Sequence, residues 1–405
     1  MTFRTTVERL GHLGDGIAPG PIFVPGALPG EVVTGRPEGD RLHEVKILTP
    51  SPARVRPPCR HFGSCGGCSL QHASDALLAD WKVQVVRDAL GAQGLEAPVT
   101  LVSVSPARSR RRAVLAGRRT RKGAIVGFHG RASGALVEIP DCQLLHPDLM
   151  AAIPALAALT LAGASRKGEL SLALSRAAAG VDVAVTGGKD PGAELQGTLA
   201  DIARAHDLAR LSWNGEIVVQ RRAPVQPFGA ARVAVPPGAF LQATEAGQAA
   251  LVAAVARHVA GAKNVVDLFA GCGTFALPLA ASAQVHAVEA SAQMLAALDH
   301  GWRHARGLKR VTTEARDLFR RPLTAAELAR FDAAVIDPPR AGAAAQVAEL
   351  AASDIEQIAH VSCNPVSFAR DARVLAEAGF APGPVAVVDQ FRWSAHVELV
   401  AGFRR

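Results

Sequence analysis

From about residue 236 the chain alternates short apolar runs with helical stretches. The first run ends in glycines: Val265-Val266-Asp267-Leu268-Phe269-Ala270-Gly271-Cys272-Gly273-Thr274. A hydrophobic strand that turns on glycines into a helix implies a parallel sheet covered by helices. Further strands are expected at Gln284–Glu289, Val311–Thr313, Ala333–Asp337, Ile358–Ser362 and Val385–Gln390, with a last one near His396–Phe403. Residues 236–405 therefore read as a doubly wound α/β domain, whose ligands bind at the carboxyl ends of the strands. Gly271 and Gly273 let backbone pass close to a ligand without a Cβ clash. The turn lacks the Gly-Lys-Ser/Thr of a P-loop and the third glycine of the dinucleotide fingerprint. Glu289 ends the second strand, where a carboxylate can accept hydrogen bonds from both hydroxyls of a ribose. Asp317 follows the third strand, and Asp337-Pro338-Pro339-Arg340 ends the fourth.

Upstream the pattern differs. Residues 1–52 carry short strand-like pieces between Gly14-Asp15-Gly16, Pro19-Gly20, Pro25-Gly26 and Pro29-Gly30, as expected of a small OB-like β-barrel. Residues 53–235 form a central, mostly β unit interrupted by helices near 149–162 and 192–206. One further helix is expected at Asp75–Leu90, capped by Ser74 or Asp75. The 405 residues are 49% hydrophobic and 20% charged, a balance that excludes a disordered chain and allows two or three domains. The N-terminus has no apolar targeting run, and Leu149–Gly163 is too short to span a bilayer, so a cytoplasmic location is expected.

Net charge is +8, and it is unevenly spread. Between Leu101 and Arg131 stand nine Lys/Arg and no Asp/Glu, which implies a polyanionic partner such as nucleic acid. Six cysteines are present. Cys59, Cys65 and Cys68 are spaced C-x5-C-x2-C with Cys142 as a distant fourth, a pattern for metal or iron–sulfur ligation rather than disulfides. Spacing alone suits a tetrahedral zinc or a [4Fe–4S] cluster equally. Cys363 stands apart in Ser362-Cys363-Asn364-Pro365, as a nucleophile would, and Cys272 reads as a small residue of the glycine turn.

The strand-end acidic positions resemble the S-adenosylmethionine fold of class I methyltransferases. With His360-Val361-Ser362-Cys363-Asn364-Pro365, Asp389-Gln390-Phe391 and His396-Val397-Glu398, nearly the whole chain resembles the RNA 5-methyluridine methyltransferases. Within them it is most similar to the iron–sulfur, TRAM-bearing type that modifies a uridine of 23S ribosomal RNA. Phe23-Val24-Pro25-Gly26-Ala27-Leu28-Pro29-Gly30-Glu31 resembles the TRAM domain, and Cys65-Gly66-Gly67-Cys68-Ser69-Leu70-Gln71-His72 the cluster segment. The resemblance implies Cys363 as the thiolate adding to uracil C6 and Glu398 as the base removing the C5 proton. It implies Gln242, Phe269, Thr274, Glu289, Asp317 and Asp337 around S-adenosylmethionine, and Cys59, Cys65, Cys68 and Cys142 around a [4Fe–4S] cluster. Since a free thiol has a pKa of about 8.5, the site is expected to lower that of Cys363, with Arg340 a candidate. The expected partner is RNA, 23S rRNA first, with no obligate protein partner. Two other readings stay open: the same chemistry on the T-loop uridine of tRNA, and a non-catalytic RNA-binding or ribosome assembly factor.

Overall fold

A computed structural model describes residues 3–405. The N-terminal segment forms a six-stranded sheet in the order Phe3–Thr6, Val32–Glu38, Arg41–Thr49, Ile22–Val24, Gly16–Ala18, Arg9–Leu10. The first and last strands of that order follow one another directly in the chain. The sheet therefore curls back on itself around Val7, Ala18, Val24, Ala27, Val33 and Leu42.

The central sheet has seven strands, ordered Leu136–Glu138, Ala124–His129, Arg112–Arg119, Glu169–Ala177, Gly180–Thr186, Arg210–Trp213, Glu216–Gln220. Helices Ile153–Gly163 and Ala193–Ala205 pack on it, near the two positions expected. Period-two alternation in Glu169–Ala177 sends Leu170, Leu172 and Leu174 to the core.

The C-terminal sheet has eight strands, in the order Val311–Ala315, Gln284–Glu289, Asn264–Leu268, Ala333–Ile336, Gln357–Ser362, Glu398–Arg404, Ala381–Asp389, Val99–Val104. Both faces are covered, so Val265 enters one core and its neighbour Val266 the other. Two features depart from the sequence reading. Glu398–Arg404 runs antiparallel to both its neighbours, so the sheet is mixed rather than parallel throughout. The eighth strand, Val99–Val104, comes from upstream of the central sheet and pairs in parallel with Ala381–Asp389. The helix before it, Asp75–Gly91, packs against helix Pro365–Glu377. The boundary expected at residue 236 thus leaves out a helix and a strand that belong to the C-terminal layers. The reason is that apolar residues at an otherwise open sheet edge gain burial and hydrogen bonds from any strand that reaches them.

A small core of Leu10, Leu28, Cys68, Leu70, Leu78, Trp81, Leu144 and Trp393 joins all three units. Among the described residues no helix is long and apolar enough to cross a membrane.

Candidate active site

The strand Gln357–Ser362 ends at Cys363, and Asn364 then caps helix Pro365–Glu377, its Oδ1 accepting the Val366 N–H at 3.1 Å. Cys363 is half-buried at that helix N-terminus. Asn364 Nδ2 donates to the Arg340 carbonyl at 3.0 Å, tying the Cys363 turn to the Asp337-Pro338-Pro339-Arg340 turn. In the neighbouring antiparallel strand Leu399 lies opposite Ser362, where the ladder ends, and Glu398 and Cys363 follow at that end, near enough for the Glu398 charge to act on the thiol. Glu398 is 3% exposed, against a half-buried Cys363.

Gln242 and Asp337 complete this cluster. Gln242 Nε2 approaches Asp337 Oδ2 at 3.4 Å. Gln390, named in a motif but given no role in the sequence reading, donates from Nε2 to Gln242 Oε1 at 2.6 Å and to Glu398 Oε2 at 2.8 Å. Cys363, Glu398, Asp337 and Gln242 are therefore brought together from four segments at the carboxyl ends of the strands.

The electrostatics are those of crowded acids. Burial pushes Glu398 up to about 8, and the Asp337 charge adds to the rise; Gln390 and Arg112 pull the other way. Burial raises Asp337 to about 7. The Cys363 thiol is pushed up to about 11 by burial, with Glu398 and Asp337 adding and Arg340 opposing. This corrects the expectation of a lowered thiol. One guanidinium and a helix N-terminus do not offset burial beside two carboxylates.

The other expected ligand positions line the same edge. Phe269 adopts φ 64°, unusual for a non-glycine residue, and the glycine turn follows with Gly271 at φ 55° and Gly273 at φ 93°. A Cβ on Gly271 would meet nothing within 4 Å, so the turn borders open space. Glu289 Oε2 accepts the Gly271 N–H at 3.1 Å and Oε1 the Ser291 N–H at 3.0 Å. Half-buried Thr274 closes the turn. Asp317 Oδ1 accepts the Phe319 N–H at 3.0 Å, and the Phe319 ring packs on Phe269 with centroids 5.4 Å apart. Asp267, on the strand that leads into the turn, is buried, and burial with the Asp337 and Glu289 charges holds its carboxyl well above the usual range.

Cys59, Cys65, Cys68 and Cys142 are free thiols, the first three buried. Burial pushes Cys68 up to about 12, with Cys142, Cys65 and Cys59 each adding to the rise, so the four sulfurs lie within reach of one another's charge. Gly67 fits the turn because a Cβ there would stand 3.0 Å from the Phe128 ring and 3.4 Å from Cys65 Sγ. Among the described residues no group of three or more His, Cys, Asp or Glu is disposed to hold a single metal ion.

The basic stretch is less uniform than its charge count implied. Arg111 is 1% exposed and donates to the Gln242 carbonyl at 3.0 Å and to Gln248 at 2.7 Å. Arg112 stacks over Phe240, 4.3 Å from the ring centroid. Arg108, Arg118, Arg121, Lys122 and Arg131 remain exposed. A cleft of about 1200 Å³ opens beside Cys363 between the N-terminal sheet and helix Asp75–Gly91, with Arg9, His12, Arg87, Arg340 and His396 in its walls.

The comparisons with known proteins agree among themselves. A profile of the tRNA (uracil-5-)-methyltransferase family matches residues 236–403. An RNA methyltransferase of Mesorhizobium japonicum is 46% identical, over 99% of this chain and 98% of its own. A 23S rRNA (uracil(1939)-C(5))-methyltransferase of Halomonas elongata is 34% identical, over 97% of this chain and 87% of its own. Among solved structures, the Pyrococcus abyssi tRNA (uracil-54, C5)-methyltransferase bound to S-adenosyl-L-homocysteine has the same fold, with a TM-score of 0.78 over 99% of both chains at 22% identity.

Proposed function

Because this chain belongs to the RNA uracil-C5 methyltransferase family, and is an S-adenosylmethionine-dependent RNA methyltransferase, we propose that it methylates C5 of one uridine in 23S rRNA through a covalent Cys363–C6 adduct. The observation that carries this reading is that Cys363 and Glu398 stand at the same end of the Ser362–Leu399 ladder, close enough for the Glu398 charge to act on the thiol, beside Asp337 and Gln242. C5 of uracil is a weak nucleophile until something adds at C6. Cys363 forms the S–C6 bond and gives its proton to Asp337, whose raised pKa suits it as an acceptor near neutrality, so that Glu398 stays ionised for the later step. The C5–C6 π electrons move to O4 as an enolate, which attacks through C5. S-adenosylmethionine supplies a methyl group on a sulfonium, and the S–CH3 bonding electrons leave with sulfur. Glu398 then removes the C5 proton, C5=C6 re-forms, and the thiolate departs.

The donor site would be the carboxyl-end edge: Phe269, Thr274, Glu289, Asp317, Asp337 and Gln242. Open space at Gly271 leaves room for a ligand to lie against the turn. RNA would enter through the cleft beside Cys363, with the N-terminal sheet acting as a TRAM domain and the exposed arginines on the backbone. The target base must be flipped to expose C5 and C6, at a cost of a few kcal/mol.

Cys59, Cys65, Cys68 and Cys142 would hold a [4Fe–4S] cluster. The four sulfurs gather at one place as buried or half-buried thiols; a cluster would replace their protons with iron and spread its ligand sulfurs over four irons rather than one ion. Its part is structural, since no step of methyl transfer needs an electron.

The test is transfer of labelled methyl from S-adenosylmethionine to protein-free 23S rRNA and to bulk tRNA, both from cells lacking this gene, followed by nucleoside analysis. 5-Methyluridine in rRNA alone is expected. Its appearance in tRNA alone would keep the chemistry and overturn the substrate. Its absence from both would overturn the uridine C5 reading and favour a binding or assembly factor.

A further inference from the structure

Gln390 touches three groups at once. Its Oε1 accepts the backbone N–H of Ala243 at 2.7 Å, and its Nε2 donates to Gln242 Oε1 at 2.6 Å and to Glu398 Oε2 at 2.8 Å. It is 2% exposed, so water does not replace a lost partner. An amide has one accepting end and one donating end. The Ala243 N–H therefore fixes which way Gln390 faces. Gln390 in turn fixes Gln242, whose Nε2 is left toward Asp337 Oδ2 at 3.4 Å. One backbone N–H thus sets the orientation of two buried amides in series.

Two independent features hold Gln390 in this pose. Gly247, in the first turn of helix Glu245–His258, lies so close that a Cβ there would stand 2.6 Å from Gln390 Cβ and 3.1 Å from its Oε1. On either side of Gln390 in the chain, Lys82 Nζ donates to Asp389 Oδ1 at 2.5 Å and to the Phe391 carbonyl at 3.2 Å. Lys82 is fully buried, and it stands on helix Asp75–Gly91.

We infer that Gln390 is a positioning residue that orients the Glu398 carboxylate as proton acceptor and turns the Gln242 amide to donate into the strand-end pocket. This rests on the reading of Glu398 as the base that removes the C5 proton. Glu398 is faced by Asp337 from the end of Ala333–Ile336, by Cys363 after Gln357–Ser362, by Arg112 from Arg112–Arg119, and by Gln390. Of these, Gln390 and Arg112 favour the ionised form, while burial and Asp337 oppose it. Deleting the Gln390 donor moves Glu398 further up and depletes the base form at neutral pH, while alkali restores it.

The experiment uses the full-length protein and RNA tritiated at uracil C5, prepared from cells lacking this gene. Tritium release reports loss of the C5 proton, and a denaturing gel reports the covalent adduct. Gln390→Met and Gly247→Ala are each expected to form adduct, to bind S-adenosylmethionine more weakly than wild type, and to release tritium roughly tenfold or more slowly at neutral pH with donor saturating, the scale of a lost hydrogen bond to a charged group. Their pH–rate midpoint moves to the alkaline side. Glu398→Gln should hold the adduct without release. A uniform loss across pH in Gln390→Met, with an unmoved midpoint, would overturn the positioning role, and so would wild-type release. Tritium release from Glu398→Gln at the wild-type rate would instead overturn the reading of Glu398 itself.

Discussion

Cys363 rests as a thiol because burial and two carboxylates outweigh Arg340. The proposed nucleophile is therefore not charged in advance, and its proton would have to be taken by a neighbour as the base docks. The sign gives a direct expectation. Alkylation of Cys363 by iodoacetamide, followed by mass spectrometry, should be slow at neutral pH and climb about tenfold per pH unit toward about 11. Asp337→Asn removes a charge that disfavours the thiolate and should speed the reaction at a given pH; Arg340→Ala should slow it. A rate flat across that range would mean a thiolate already formed at neutral pH. Cys363 and Glu398 were singled out because Ser-Cys-Asn-Pro and His-Val-Glu resemble the motifs of the family, and the fold brings the two together. Gln390 stood in a motif without a role, since only the fold brings Ala243, Gln242 and Glu398 around it. Lys82 did leave a trace: it shares a helix face with buried Leu78 and Val86, where a lysine needs a partner.

At the level of elements, the local rules worked where residues interact with near neighbours. Ser74, one of the two caps the sequence allowed, caps helix Asp75–Gly91, its Oγ accepting the Leu77 N–H. The N-terminal sheet depends on a less visible device. Glu31, fully buried, accepts from the Leu28 and Ser51 N–H groups and from two nitrogens of Arg54. Burial raises its pKa, but Arg54 and the two backbone donors outweigh this and hold the carboxyl below the usual range. A lowered folded-state pKa means the carboxylate's stabilisation is present above the ordinary glutamate value and lost as pH falls through the folded one. Glu31→Ala leaves Arg54 without its partner and should cost about 3–5 kcal/mol in denaturant unfolding. A loss under about 1 kcal/mol, the range of an exposed pair, would show that the ion pair is dispensable.

Across the whole molecule, three sheets meet at one small core, and the proposed cluster ligands bridge it to the central sheet: Cys68 lies in the small core, Cys65 in that of the central sheet, and Cys142 packs against both. Cys142→Ser should therefore lower bound iron and sulfide together and weaken RNA binding, while S-adenosylmethionine binding measured by calorimetry stays near wild type. RNA and donor affinities falling equally would place the cysteines in the catalytic unit instead. Taken alone, the sequence determined the succession of strands and helices and the C-terminal α/β class, and its motifs singled out Cys363 and Glu398 for the proposed chemistry, because period and motif are written within a few residues. The tertiary structure decided that Val99–Val104 completes the catalytic sheet, that Arg111 turns inward while Arg118 stays out, and that Gln390 joins the two halves of the site. The Lys82–Asp389 pair spans 307 positions. Contacts at such separations arise when packing brings distant segments together, and no local pattern of hydrophobicity or charge specifies which partner a buried group will meet.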